Sequence, residues 1–301
     1  MSKPRIKESL VYKKEVLLKS AADNQLDERE YLFSKTVYSD KDKVMSEIHY
    51  DADGNVTQEY VFGYDNNGFL CEELMKEDDG FVAEHKTYEP DEKGRIAKEL
   101  RHYMDGSFDT VTYSYNDQGL VSKKVTVDPD GDTESVEEFD YESGNLTRYT
   151  LKNEEGEILS ERKVTYDEKG NPVEVHEYDG SEGLSNRKVI EYYPSGNRKE
   201  TLLYNDAGKL MEKTVMKENE KGQLVQAVEE THSKKHTVNF TYDEAGNIVS
   251  QEEFDRNGEL VSRVNRNYDE NQLLLSSDVF IHGAGRGPSR NYTLRQEYVF
   301  G

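Results

Sequence analysis

The chain has 301 residues, 34% hydrophobic and 34% charged, with a mean hydropathy of −0.96. That apolar share lies well below the roughly 45–50% of ordinary globular chains and argues against a thick core. Disorder is opposed by 21 tyrosines, 10 phenylalanines and only 6 prolines, and a formal charge of −23 disfavours a phosphate-binding surface for nucleic acid.

An acidic surface of this kind suits solubility, a basic protein partner or divalent cations. One cysteine, Cys71, excludes an intrachain disulfide framework and a Cys-rich zinc site. No apolar run approaches the roughly eighteen residues of a membrane-spanning helix. Met1-Ser2-Lys3-Pro4-Arg5 is not followed by an apolar stretch, so no secretory signal is visible. The expectation is a cytoplasmic protein as the sequence stands, or a secreted or surface protein if a leader has been trimmed.

Taken in chain order, residues 1–37 read as an N-terminal cap or degenerate repeats. Leu10, Val11, Val16, Leu17 and Leu18 fit either a strand or a short helix, and terminal repeats are expected to be atypical. From 38 to 275 the chain is an array. Tyr38-Ser39-Asp40-Lys41-Asp42 has the composition of a turn, and Val44, Ser46, Ile48 and Tyr50 follow with period two. From Gly54 to Gly258 a glycine recurs every twelve to fourteen residues, and a tyrosine usually stands four positions earlier, as in Tyr64/Gly68, Tyr115/Gly119 and Tyr166/Gly170. Such a fixed period marks stacked supersecondary units. Asp, Asn, Glu and Ser around the glycines predict hairpin loops of three to five residues built on a type I turn with a left-handed glycine. The one gap falls near Lys234-Lys235, and Asn271 takes the next expected turn position.

Strands of about nine residues joined by turns this short must pair antiparallel with their neighbours. The expected fold is all-β: an extended antiparallel meander or solenoid of about seventeen or more strands, curled or superhelical. After Gly156 one face carries Ile158, Ser160, Arg162, Val164 and Tyr166, so each strand is expected to be apolar near both turns and polar between them. Between Gly106 and Gly119 the spacing of thirteen puts Phe108 and Tyr115 on opposite faces unless a bulge intervenes. Residues 276–301 read as a loop and a capping strand. Tyr292 to Phe300 is expected to cover one of the meander's two open edges, or else to be simply its next strand. Glu59-Tyr60-Val61-Phe62-Gly63 reappears as Glu297-Tyr298-Val299-Phe300-Gly301, which suggests shared repeat ancestry.

Tyr242-Asp243-Glu244-Ala245-Gly246-Asn247-Ile248, Tyr166-Asp167-Glu168-Lys169-Gly170-Asn171 and Tyr141-Glu142-Ser143-Gly144-Asn145-Leu146 resemble the Rhs or YD repeat. Tyr192-Tyr193-Pro194-Ser195-Gly196-Asn197 is similar to the short repeats of the YwqK antitoxin-like family. The resemblance covers roughly residues 38–275. It implies a bacterial β-repeat that wraps, binds or presents something without catalysis of its own. The spacings here are longer than in typical Rhs repeats, and no C-terminal self-cleavage segment is found, so encapsulation does not carry over.

Four places could carry chemistry. Asp128, Asp130 and Asp132 alternate like the carboxylates of a calcium loop, but the same residues build a hairpin turn and the bidentate glutamate is missing. His232 and His236 would converge on a metal only on a helix, and Ser233-Lys234-Lys235 reads as a turn. Gly283 to Arg290 is glycine-rich and basic enough to cradle a phosphate, yet no helix start follows it. The tyrosines could stack on sugars or a protein, or serve as cross-strand ladders beside the glycines. No Gly-x-Ser-x-Gly elbow, His-Glu-x-x-His or nucleotide loop occurs. The expected function is therefore a non-catalytic β-repeat scaffold with a protein partner, without nucleic acid or membrane insertion and with calcium as the one cofactor to consider. The alternatives are an immunity or antitoxin-like protein masking a basic toxin, and a carbohydrate-binding surface module. Strand edges could also drive self-association.

Overall fold

A computed structural model describes residues 5–20, 25–283 and 289–301. Among them there are 22 strands and no helix. The first five are β1 (Ile6–Ser20), β2 (Gln25–Tyr38), β3 (Val44–Tyr50), β4 (Val56–Tyr64) and β5 (Leu70–Glu77). Next come β6 (Val82–Pro90), β7 (Ile96–His102), β8 (Phe108–Tyr115), β9 (Val121–Val127), β10 (Thr133–Glu142) and β11 (Asn145–Asn153). They are followed by β12 (Ile158–Tyr166), β13 (Pro172–Asp179), β14 (Leu184–Tyr192), β15 (Arg198–Asn205), β16 (Leu210–Glu218) and β17 (Leu224–Thr231). The last are β18 (Lys235–Tyr242), β19 (Ile248–Phe254), β20 (Leu260–Tyr268), β21 (Leu274–Ile281) and β22 (Arg290–Phe300). The N-terminal residues left between strand and helix are thus strand.

All 22 strands belong to one sheet. The chain divides into two units, Met1–His85 with Val238–Gly301, and Lys86–Thr237. In the first unit β19 to β22 run as consecutive antiparallel neighbours, and so do β1 to β5. β22 pairs with β21 on one side and with β1 on the other. This pairing corrects the expected open, curled or superhelical meander: the first and last strands pair with each other, and neither is a free edge. The physical reason is the one that made an edge problem foreseeable. Open N–H and C=O groups on the first and last strands satisfy each other when the strands meet. Arg295 secures the seam, donating to Glu30 Oε1 at 2.8 Å and lying 4.4 Å from the centre of the Tyr12 ring. Its guanidinium also meets Glu297. The C-terminal strand is thus both readings at once, the next strand of the meander and the cover for the first.

The second unit is a continuous antiparallel run from β7 to β17. Its hairpins follow one local chemistry, shown by Asp167. The Asp167 N–H donates to Asn171 O at 2.9 Å and Gly170 N–H to Asp167 O at 3.0 Å. Asp167 Oδ1 then accepts from the N–H groups of Lys169 and Asn171 at 2.9 and 2.8 Å. Gly170 needs its φ of +81° to close this loop, a conformation glycine adopts without a Cβ clash. The same turn recurs in the first unit at Asp269, with one difference from expectation: Gln272, not Asn271, holds the left-handed position, at φ +66°. The register sets this, because Gln272 is four residues after Tyr268, as Gly170 is after Tyr166. Near Lys234, where the glycine is missing, Thr231 N–H bonds Lys234 O at 2.9 Å in a tighter hairpin.

The meander places alternate turns on opposite rims of each unit. In the second unit one rim is formed by the connections 91–95, 116–120, 143–144, 167–171, 193–197 and 219–223. Tyrosines end four of the strands that lead into it. Tyr115, Tyr141, Tyr166 and Tyr192 donate their hydroxyls to the carbonyls of Ile96, Val121, Leu146 and Pro172, at 2.7 to 2.9 Å. Each carbonyl lies 19 or 20 residues back, at the start of the preceding strand. We call this the tyrosine rim. Beside it, Val164, Val175 and Ile190 are buried, with Tyr166 and Tyr192 packed on them. The expected parity break in β8 is real. Asp109, Val111, Tyr113 and Tyr115 share one face by alternation and Phe108 takes the other, with a register shift at Ser114/Tyr115.

Candidate functional site

The opposite rim of the second unit comprises the connections 103–107, 128–132, 154–157, 180–183, 206–209 and 232–234. The sequence led us to expect apolar residues near both ends of each strand. The structure buries them at the tyrosine rim and exposes them here. Every exposed large hydrophobic residue of this unit, among the described residues, belongs to this rim. Tyr103, Met104 and Phe108 flank the first connection, and Met104 is 81% exposed. Ile158 and Leu159 open β12, Tyr178 and Leu184 bracket the connection from β13 to β14, and Leu210 and Met211 open β16. Among the described residues no tyrosine hydroxyl is seen to tie these strand ends together in the manner of the other rim, and these apolar side chains are exposed.

Charge follows the same division. The six connections of this rim carry nine acidic and two basic residues, a net of −7, whereas the six of the tyrosine rim carry six acidic and four basic, a net of −2. We call it the acidic rim. Asp128, Asp130 and Asp132 belong to it. Asp128 Oδ1 accepts from the N–H groups of Asp130 and Asp132 at 3.0 and 2.9 Å, the ordinary side-chain bonding of this turn type. Among the described residues no group of three or more His, Cys, Asp or Glu side chains comes together to hold a metal ion.

Between the rim and the sheet face lies an open groove of about 550 Å³. Tyr149, Ser160, Arg162, Glu177, Asp179 and Asn186 line it, with Tyr178 at its margin. Gly180 shapes its rim end. The Gly180 N–H donates to Leu159 O at 2.8 Å, and a Cβ there would sit 2.5 Å from Ile158 O. Only glycine lets this connection lie against the start of β12.

The most buried polar cluster surrounds Val111, on the sheet face. Glu99, Asp109 and Thr126 are buried. Glu99 accepts from Arg101 Nε and from the Tyr113 hydroxyl, both at 2.7 Å, and Tyr103 donates to Asp109. Burial opposes ionisation of Glu99, but the bonds from Arg101 and Tyr113 outweigh it and hold the carboxyl below its ordinary range. Burial, then the Glu99 bond, raises the Tyr113 hydroxyl. A carboxylate already saturated by two donors is a poor proton acceptor, so this cluster ties β7 to β8.

The remaining candidates lie elsewhere. His232 lies in the connection from β17 to β18 and His236 in β18 itself, so the helical spacing never arises. The glycine-rich stretch Gly283 to Arg290 falls mostly at 284–288, outside the described residues. In the first unit a shallower groove of about 330 Å³ is lined by Lys14, Glu28, Arg263, Asp278 and Tyr292, among others. The acidic rim had one legible signal, which sequence reading missed. The turns alternate in character along the chain, with a true period of about two strands: Tyr115, Tyr141, Tyr166 and Tyr192 are 25 or 26 residues apart.

Comparison with known proteins adds the following. The model of a family described as "Uncharacterised protein" matches residues 186–297, less than half of the chain. No curated protein matches. Similar solved structures include TcdB2-TccC3-Cdc42, at 12% identity and a TM-score of 0.28, over 88% of this chain and 19% of the other. The Tc holotoxin pore of Photorhabdus luminescens matches at 13% and 0.25, over 86% of this chain and 19% of the other. A porin-like protein from Bacteroides uniformis matches at 14% and 0.35, over 98% of each chain. This chain spans about a fifth of the toxin chains it matches. At these scores we rest no argument on the likenesses.

Proposed function

We propose that the protein is a non-catalytic β-repeat scaffold that binds a protein partner through the acidic rim of its second unit. The observation that carries this reading is the segregation of exposed apolar side chains. A chain that is only 34% hydrophobic nonetheless places nine of its large apolar residues on one rim, uncovered. Contiguous exposed apolar surface rimmed by polar groups marks an interaction site. The resemblance of the repeats to YD units, which present or wrap other molecules, is in keeping with it.

The test uses a photo-crosslinking residue at Leu159 or Met211, compared with one at Glu168 on the tyrosine rim, in the native cell. The expected result is a discrete adduct from the first two positions that disappears in a Met104→Ser, Tyr178→Ser double variant of unchanged circular dichroism. Equal labelling from all three positions, or none from the acidic rim, overturns the proposal. A second reading, a carbohydrate module, is favoured by the Tyr149 wall and the polar lining of the groove. It requires a change in tyrosine fluorescence on adding glycans that a Tyr149→Ala variant loses.

A further inference from the structure

We propose that the acidic rim takes a cationic amphipathic segment, with apolar residues on one side and Lys or Arg on the other. This rests on the reading of the rim as a docking surface and specifies the partner's chemistry.

Three observations converge. Beside three successive connections of the rim, Leu159, Tyr178 and Met211 are exposed and share one sheet face by register, whereas Leu184 pairs with Asp179 on the other. Turns on the same rim are two strands apart, about 10 Å, so this stretch spans about 20 Å. That is the length of about 13 residues of α-helix. Secondly, carboxylates lie in the same connections: Glu154 and Glu155 precede Ile158, and Glu182 follows Tyr178. Thirdly, these carboxylates are unpaired. Most glutamates within the strands meet a cation, as Glu161 meets Arg148 at 2.6 Å and Glu200 meets Lys213 at 2.5 Å. Asp130, Glu154, Glu155 and Glu182 form no ion pair among the described residues. A row of unpaired carboxylates bordering exposed aliphatic groups is complementary to a cationic amphipathic surface. It repels an acidic segment and an anionic bilayer alike.

The experiment titrates the full chain with a labelled helical Lys/Leu peptide of about 14 residues and follows anisotropy. Two matched peptides serve as controls, one with every Lys replaced by Glu and one with every Leu replaced by Ser. The Lys/Leu peptide is expected to bind and to weaken as salt rises from about 50 to about 500 mM. Leu159→Ser, Tyr178→Ser, Met211→Ser in combination should weaken it about tenfold or more. Glu154→Gln, Glu155→Gln, Glu182→Gln should weaken it and flatten its salt dependence.

Equal binding of the Glu/Leu peptide, lost in the serine variant, overturns the charge inference while the docking surface stands. Equal binding of the Lys/Ser peptide, indifferent to both variants, reduces the effect to diffuse attraction by the net charge and overturns the proposal. Rim-dependent binding of phosphatidylglycerol vesicles assigns the rim to a lipid surface and overturns it too. So does light scattering that shows a dimer which the serine variant dissociates, because the occupant is then a second copy. If no probe binds and the rim also fails to crosslink, both readings fall.

Discussion

Tyr166 shows how much one side chain does here. Its ring covers Val164, Val175 and Ile190, and its hydroxyl satisfies the carbonyl of Leu146 at 2.8 Å. That carbonyl opens β11, at a strand end where ladder bonding runs out. Removing the hydroxyl alone should cost about 0.5–1.5 kcal/mol, the net worth of such a bond. Tyr166→Phe is therefore expected to lower Tm by about 1–4 °C, and Tyr178→Phe on the acidic rim should leave it unchanged. Equal, negligible shifts in the two melts would show that the tyrosine rim is held by packing and not by these bonds. Position also separates the two copies of the repeated pentapeptide. Tyr298, two residues before the end of its strand, bonds Leu274 O at 3.0 Å, the role that Tyr64 and not Tyr60 plays in β4, with Val44 O as acceptor at 3.1 Å.

At the scale of the element, each hairpin is closed by a side chain as well as by glycine. Asp51, Asp91, Asp167 and Asp243 all have carboxyls held below the ordinary range. At Asp51, Asp167 and Asp243 the side-chain bond of the following Asn is the leading cause, and at Asp91 it is the backbone N–H of Arg95. A carboxyl with a depressed folded value contributes stability that is present above its unfolded value of about 3.9 and lost as pH falls through the folded one. Tm should therefore hold level from about pH 7 to about pH 5 and decline below about pH 4. Asp167→Asn should make the decline shallower. A Tm that climbs between about pH 5 and about pH 3 would mean that relief of the −23 net charge outweighs the turns. The hairpin was legible in sequence because everything in it is local. Tyr, Asp and Gly lie within five residues, and backbone sterics alone require the left-handed residue.

For the whole molecule the decisive bond pattern is the pairing of β22 with β1. Deleting residues 290–301 leaves β21 and β1 each with a row of unpaired N–H and C=O groups. The truncated protein is expected to self-associate by strand addition, with oligomers in light scattering at concentrations where the full chain is monodisperse. A truncated chain that stays monomeric with an unchanged Tm would show that the seam protects nothing.

The period of glycines and the two-residue alternation by themselves determined an all-β antiparallel meander, the turn type and the identity of nearly every turn. Each of those depends on interactions between residues a few positions apart. The pairing of the first and last strands did not follow from the repeat. It joins Glu8 to Val299 and Tyr12 to Arg295 across almost the full length of the chain, and a meander of identical local geometry could equally run open. The candidate site was hidden for a related reason. Leu159, Tyr178 and Met211 read in sequence like any other apolar residue near a strand end, and Asp128 to Asp132 read as an isolated turn. Only the tertiary structure decided that their turns share one rim and that these apolar side chains are exposed there. Alternate turns become neighbours when the strands between them pair, and what that neighbourhood exposes depends on which side chains its strands leave uncovered.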